Sequence, residues 1–302
     1  MFEWLTVDKF LSAELARSLF TALFGAFLGA WAAQNLAAKI REREERLKTV
    51  RVANAATVLV YAVTDSMLAF KHQIVQPMAE HYLSERQRII DDTKAAKQRP
   101  PGAFRGPVVI NASLDMRSFS LQWTPLKELQ EILFKQISPP MRPTWLLGTL
   151  SSTLASLEQL TKERNEMLAD FREASMAGKD INAAFFGLET LNRTDQIYLH
   201  LVEAIRDRTD DAIWFSKTVG DDLLRYTTAL RQTLPVSVRP FAPVIIAADF
   251  SRRADVMPDP AKYRDYEHMF QEIRALGTGI WSAKFEALAL AQFETTSVFN
   301  VM

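Results

Sequence analysis

The sequence predicts an all-α protein: a single N-terminal transmembrane helix that continues into a cytoplasmic bundle of long antiparallel helices. Three observations carry that prediction. Residues 18–38, SLFTALFGAFLGAWAAQNLAA, are uncharged and apolar, and residues 34–76 contain neither Gly nor Pro and run through a charged neck, KIREREERLK. Apolar residues also recur at three- and four-residue steps over 147–171 and 188–230, the period of a packed helix face. The chain then divides into a short amphipathic segment (1–17), the span (18–38), the basic neck with the first long helix (39–97), a Pro-rich connection (98–145), an antiparallel helical hairpin (146–235) and a C-terminal loop, helix and apolar tail (236–302).

A span of about twenty residues at about 1.5 Å per residue covers about 30 Å, the hydrocarbon thickness of a bilayer. No charge falls between Arg17 and Lys39. Ser18 and Thr21 at one end and Gln34 and Asn35 beyond the other shorten the strictly apolar run to 19–33. A buried soluble helix and a secretory signal peptide are the competing readings. A signal peptide needs a cationic leader, and here Lys9 and Arg17 are offset by Glu3, Asp8 and Glu14, although Ala30-Trp31-Ala32 would serve as a cleavage site. Lys39, Arg41, Arg43, Arg46, Lys48 and Arg51 follow the span, against Lys9 and Arg17 before it. The positive-inside rule therefore places the N-terminus outside and the body in the cytoplasm, as expected of a single-pass bacterial inner-membrane protein. Trp4 and Trp31 suit the two interfaces.

Within the span, Gly25 and Gly29 form a GxxxG pair, and Ala22, Ala26, Ala30 and Ala33 extend a face of small residues. Such faces let helices approach closely in lipid, so the expected partner is a second copy of the chain. An Ala- and Gly-rich composition also produces the motif by chance.

At 302 residues with 48% hydrophobic content, the chain can build one large core or two ordinary ones. Its 36 basic residues balance 36 acidic ones, which speaks against a dedicated nucleic-acid partner. The absence of cysteine excludes disulfides, zinc thiolates and thiol nucleophiles.

Taken in order, residues 1–17 carry Phe2, Trp4, Leu5, Val7, Phe10, Leu11 and Leu15 among scattered charges, which suits a short amphipathic helix at the interface or, more simply, the frayed beginning of the span. Residues 52–70 are apolar enough to suggest a second span. Asn54, Thr57, Thr64, Asp65 and Ser66 interrupt them, and a mid-membrane Asp costs a few kcal/mol, so a core helix is expected. Pro77 should kink or break this helix, and Arg99-Pro100-Pro101-Gly102 ends the next segment. Residues 107–123, PVVINASLDMRSFSLQW, have partial alternation and β-branched residues, which fits a hairpin or a long loop. A short helix over 125–137 is ended by Ser138-Pro139-Pro140 and Pro143.

The first long helix repeats Leu147, Leu150, Leu154, Leu157, Thr161, Arg164, Leu168 and Phe171, with Gly178 as its cap. The second carries a heptad seam through Leu188, Leu191, Asp195, Tyr198, Val202, Ile205, Thr209, Ala212, Ser216, Val219, Leu223, Tyr226 and Leu230. The short connection 177–180 implies antiparallel neighbours. Arg164, Asp195, Thr209 and Ser216 are expected to pair with one another or with the neck helix and to set register. Pro235, Pro240 and Pro243 close the second helix. Residues 244–248 read as a buried apolar run, 251–260 as an exposed loop and 261–275 as an amphipathic helix. The apolar tail 280–302 must dock on the body, another copy or a partner.

No Walker, GxGxxG, GxSxG or HExxH pattern occurs, and the four histidines are scattered. Asp265 and His268 stand three apart as an ordinary surface pair would. Acid pairs such as Asp210-Asp211 read as solvated faces. No cofactor or metal is expected. The leading functional expectation is a membrane-anchored, self-associating scaffold or interaction module. A membrane-acting signal transducer or effector is the second, and an enzyme with its site in 98–145 or 236–260 the third.

Overall fold

The computed structural model describes residues 4–98, 112–121, 125–137, 139–188 and 196–275, with side chains described throughout except at 4–16, 97 and 270–275. All regular structure among these residues is helical. The helices are α1 (Trp4–Phe70), α2 (Gln76–Lys97), α3 (Leu126–Lys135), α4 (Met141–Met176), α5 (Asn182–Phe186), α6 (Ile197–Gln232) and α7 (Arg264–Ala275). The expected amphipathic pattern of 1–17, the seam positions Leu191 and Asp195, and the tail 280–302 lie outside the described side chains.

Pro77 does not break the first helix. A single π-helical turn, Lys71–Val75, joins α1 to α2, and Pro77 occupies the first turn of α2. The widened turn accommodates a residue that has no N–H to donate and whose ring would press on the carbonyl four residues earlier. The helical run is continuous from Arg17 to Ala96. Pro143 likewise lies inside the first turn of α4, where unpaired N–H groups are normal, and does not close the preceding element.

The residues fall into two compact units. The first comprises Met1–Ser66, Gln122–Gly148 and Ser216–Asp249. In it α1 buries Val50, Ala53, Thr57, Val60 and Thr64, and α6 buries Ser216, Val219 and Leu223, both at alternating three- and four-residue steps. Thr57 pairs with Thr227 at 3.4 Å, Tyr61 donates to Asp221 at 3.1 Å, and Thr64 donates to Ser216 at 3.0 Å. Numbers that rise on α1 fall on α6, so these two stretches are antiparallel. Leu129 and Leu133 of α3 and Leu146 and Leu147 of α4 are buried in the same unit, and Arg142 pairs with Asp222 at 3.3 Å. The neck end is closed by a small cluster in which Val50, Leu234 and Ala242 pack with Leu47 and Leu230.

The second unit comprises Met67–Leu121, Thr149–Phe215 and Phe250–Met302. Its aromatic core joins Tyr82 of α2, Phe171 of α4, Phe185 and Phe186 of α5, and Tyr198 of α6, with Phe185 stacked on Tyr198 at 4.5 Å. Lys71, on the π-turn, pairs with Asp210 at 2.6 Å and donates to the Val256 carbonyl at 2.7 Å. Tyr263 stacks on Trp214 at 4.5 Å and donates to Asp211 at 2.9 Å.

Three sequence expectations are corrected. The second long helix begins at Ile197, not near 182: Gly187, at φ 58°, ends α5, and Leu188 follows in a turn bonded to the Ala183 carbonyl. The connection from α4 is therefore far longer than 177–180. Of the two alternatives for 107–123 the hairpin does not form over the described residues 112–121, which run as a loop whose backbone groups are taken in part by helix side chains. Residues 244–248 are not buried: Val244 and Ile246 are exposed, since an apolar run of this kind does not of itself provide a packing partner.

Candidate membrane-spanning helix and neck

α1 leaves the packed body at its N-terminal side. Every residue from 17 to 46 is exposed, and Val50 is the first buried one. This free shaft carries Leu19, Phe20, Leu23, Phe24, Phe27, Leu28 and Trp31, with Phe20 70%, Phe27 67% and Trp31 59% exposed. At 100° per residue these bulky side chains occupy one half of the circumference. Ala22, Gly25, Ala26, Gly29 and Ala33 occupy the other half, and a Cβ added at Gly25 or Gly29 would meet nothing within 4 Å. Phe20 stacks on Phe24 at 6.0 Å, consistent with their four-residue spacing.

One helix among the described residues is long and apolar enough to cross a membrane, with a mean hydropathy of 1.4 over its most apolar stretch. Half of that stretch is buried within the protein. Since 17–46 are wholly exposed, this most apolar stretch is the core part of α1 beyond the neck and not 18–38. Hydropathy alone therefore does not distinguish 18–38 from the core part of α1. Exposure separates the two apolar stretches: 53–70 spends its large side chains on the core, whereas 19–31 displays them to the surroundings. A soluble monomer rarely exposes so continuous an apolar surface.

Beyond the shaft, Lys39, Arg41, Arg43, Arg46, Lys48 and Arg51 are all exposed, and Arg46 pairs with Glu42 at 2.6 Å. The 234–242 segment folds back against this neck. Arg239 donates to the Gln232 and Leu234 carbonyls at 2.7 and 3.0 Å, sealing the C-terminus of α6. Leu234 and Ala242 then pack on Val50 and Leu47, which brings Phe241 beside the neck with the Arg43 guanidinium 5.8 Å from its ring. A groove of about 630 Å³ lies between them.

The seam positions are placed as follows. Tyr198, Val202, Ile205, Val219 and Leu223 are buried on α6, Tyr226 is half-buried on it, and Leu188 is half-buried outside it. Thr209 back-bonds the Ile205 carbonyl, while Ser216 accepts from Thr64 on α1. Arg164 meets two aromatic rings and a backbone carbonyl among the described residues. It is 1% exposed, lies 4.7 Å from the Phe119 ring and 5.8 Å from the Tyr198 ring, and donates to the Arg117 carbonyl at 3.0 Å. Burial lowers its pKa, an effect that Tyr198 partly offsets.

Sequence reasoning missed two features. One is the neck groove, whose wall comes from a loop nearly two hundred residues away; the isolated Phe241 between two prolines was its only signal. The other is an internal strap over 112–121. Ser113 donates to Glu85 at 3.2 Å, and its carbonyl lies 3.1 Å from His81 Nε2, which must carry the proton. Arg172 donates to the Met116 carbonyl and to Ser118 at 3.0 Å. Asn165 donates to the Phe119 carbonyl at 2.6 Å and accepts from its N–H at 3.3 Å.

Among the described residues, no group of three or more His, Asp or Glu side chains could hold a metal ion. No known protein family, curated protein or solved structure matches the chain.

Proposed function

We propose that the chain is a single-pass membrane-anchored scaffold: 18–38 cross the bilayer, the N-terminus lies outside, and the helical body sits in the cytoplasm. The observation that carries this reading is the free shaft of α1, with bulky apolar side chains on one half and a Gly/Ala stripe on the other. Bulky side chains suit acyl chains, and the small stripe suits a second copy of the same helix, where packing drives association. The basic neck supports the orientation, because Lys and Arg accumulate on the side that is not translocated.

Replacing both Gly25 and Gly29 with Leu tests the assembly. Insertion should survive, since Leu makes a better span than Gly, while association of the span in a membrane reporter should drop. An unchanged reporter signal would remove the small stripe from the account and leave any assembly to the body.

One observation favours a second reading, a transducer. α1 runs without a break from the shaft into the body, so a displacement of one end is carried to the other. Growth arrest or dye leakage on overexpression, abolished by shortening the neck, would select the transducer over the scaffold.

A further inference from the structure

We infer that the groove at the neck is a binding site for the headgroup and upper acyl chain of an anionic phospholipid. This rests on the membrane reading above. Three cations, Arg43, Lys48 and Arg51, line the groove together with Ile40, Leu47 and Phe241. Glu44 is the one acid on its wall, so the lining is net positive. A lining that mixes cations with apolar side chains matches an amphiphile with an acidic head better than a wholly polar anion.

Position along the helix supports the same ligand. Arg43 follows the end of the span by five residues, about 7.5 Å of rise, which is headgroup depth in a bilayer whose polar layer is about 5–8 Å thick on each side. Side chains on a helix tilt toward its N-terminus, here toward the membrane, which brings Lys48, about 7.5 Å beyond Arg43, toward the outer edge of that layer, while Arg51, about 12 Å beyond Arg43, lines the end of the groove away from it. In the proposed orientation this is the cytoplasmic leaflet, the one that carries the anionic lipid.

The groove is also built, not incidental. Phe241 is 64% exposed, yet the backbone that carries it is fixed by the two Arg239 bonds and by burial of Leu234 and Ala242 against Val50. A large aromatic held open beside a guanidinium gives an acyl chain an apolar wall while the cation faces the phosphate.

The test uses the full chain in a neutral maltoside detergent, with its melting temperature followed against short-chain phosphatidylglycerol, phosphatidylcholine of the same chain length, and glycerol phosphate. Phosphatidylglycerol should raise the melting temperature saturably and the other two should not. Arg43→Gln with Lys48→Gln should weaken the half-saturation about 25-fold, at about fivefold per cation lost near an anionic headgroup. Equal effects of the two lipids would overturn headgroup recognition. An equal effect of glycerol phosphate would make the ligand a free phosphate and overturn the lipid. An unchanged half-saturation in the double variant would put the site elsewhere. Failure of the membrane reading is scored separately, by carbonate extraction of the wild-type chain from membranes.

Discussion

Gly220 has no side chain because the ring of Tyr61 occupies the place where one would begin. A Cβ there would stand 2.5 Å from the ring, and the ring is held by its bond to Asp221. Gly220→Ala should therefore destabilise the protein by about 1–3 kcal/mol through overpacking, read from urea unfolding. An unaltered midpoint would mean that the ring moves aside freely. Arg164 offers a second test. Its guanidinium is desolvated between two rings, and cation–π pairs of this kind reach about 2 kcal/mol. A double-mutant cycle of Arg164→Met with Phe119→Leu should return a coupling of that order, and a coupling near zero would show that the ring and the cation do not act on one another. The seam position of Arg164 was legible in the sequence. Its partners Phe119 and Arg117 were not, because they lie about 45 residues away on a segment with no periodicity of its own.

At the scale of elements, the strap 112–121 shows how a stretch with strand-like composition avoids becoming a strand. Helix side chains answer its backbone groups one at a time, and Asn165 takes both the N–H and the C=O of Phe119. Asn165→Ala removes two bonds worth about 1 kcal/mol each. Amide exchange at Phe119 should then speed up by about 30-fold, with the α6 seam unchanged. Exchange that rises equally in both places would mean that the strap is not an independent unit. The helical period over 147–171 and 198–223 was readable because packing repeats it turn by turn. The start of α6 was not, since the seam pattern continues backward through Leu188, which lies outside α6 just after the left-handed Gly187 that ends α5. The π-turn was half legible: Pro77 signals a disturbance, but whether the chain breaks or widens depends on what holds the next turn, here the Lys71 pair with Asp210.

At the scale of the whole molecule, buried tyrosines set the alkaline limit. Tyr61, Tyr82 and Tyr263 all titrate above the ordinary 10.0, chiefly through burial, with Asp221 adding at Tyr61 and Asp211 at Tyr263. Below pH 10 both folded and unfolded chains keep these protons and no slope results. Above it the unfolded chain loses them first, so stability falls by up to about 1.4 kcal/mol per pH unit for each tyrosine. Tyr263→Phe should reduce that alkaline slope, and an identical slope in the variant would remove Tyr263 from the account.

The proposed anchor was the most legible feature of the sequence, yet apolarity alone could not separate 18–38 from 52–70. Burial separates them, and that distinction has a direct test. The chain has no cysteine, so single replacements report position cleanly. In intact bacterial cells a membrane-impermeant maleimide should label Glu3→Cys. It should label Thr49→Cys and Ser237→Cys only after lysis, and Ala26→Cys in neither case. Labelling of Ala26→Cys in intact cells, or of Ser237→Cys without lysis, would contradict the account.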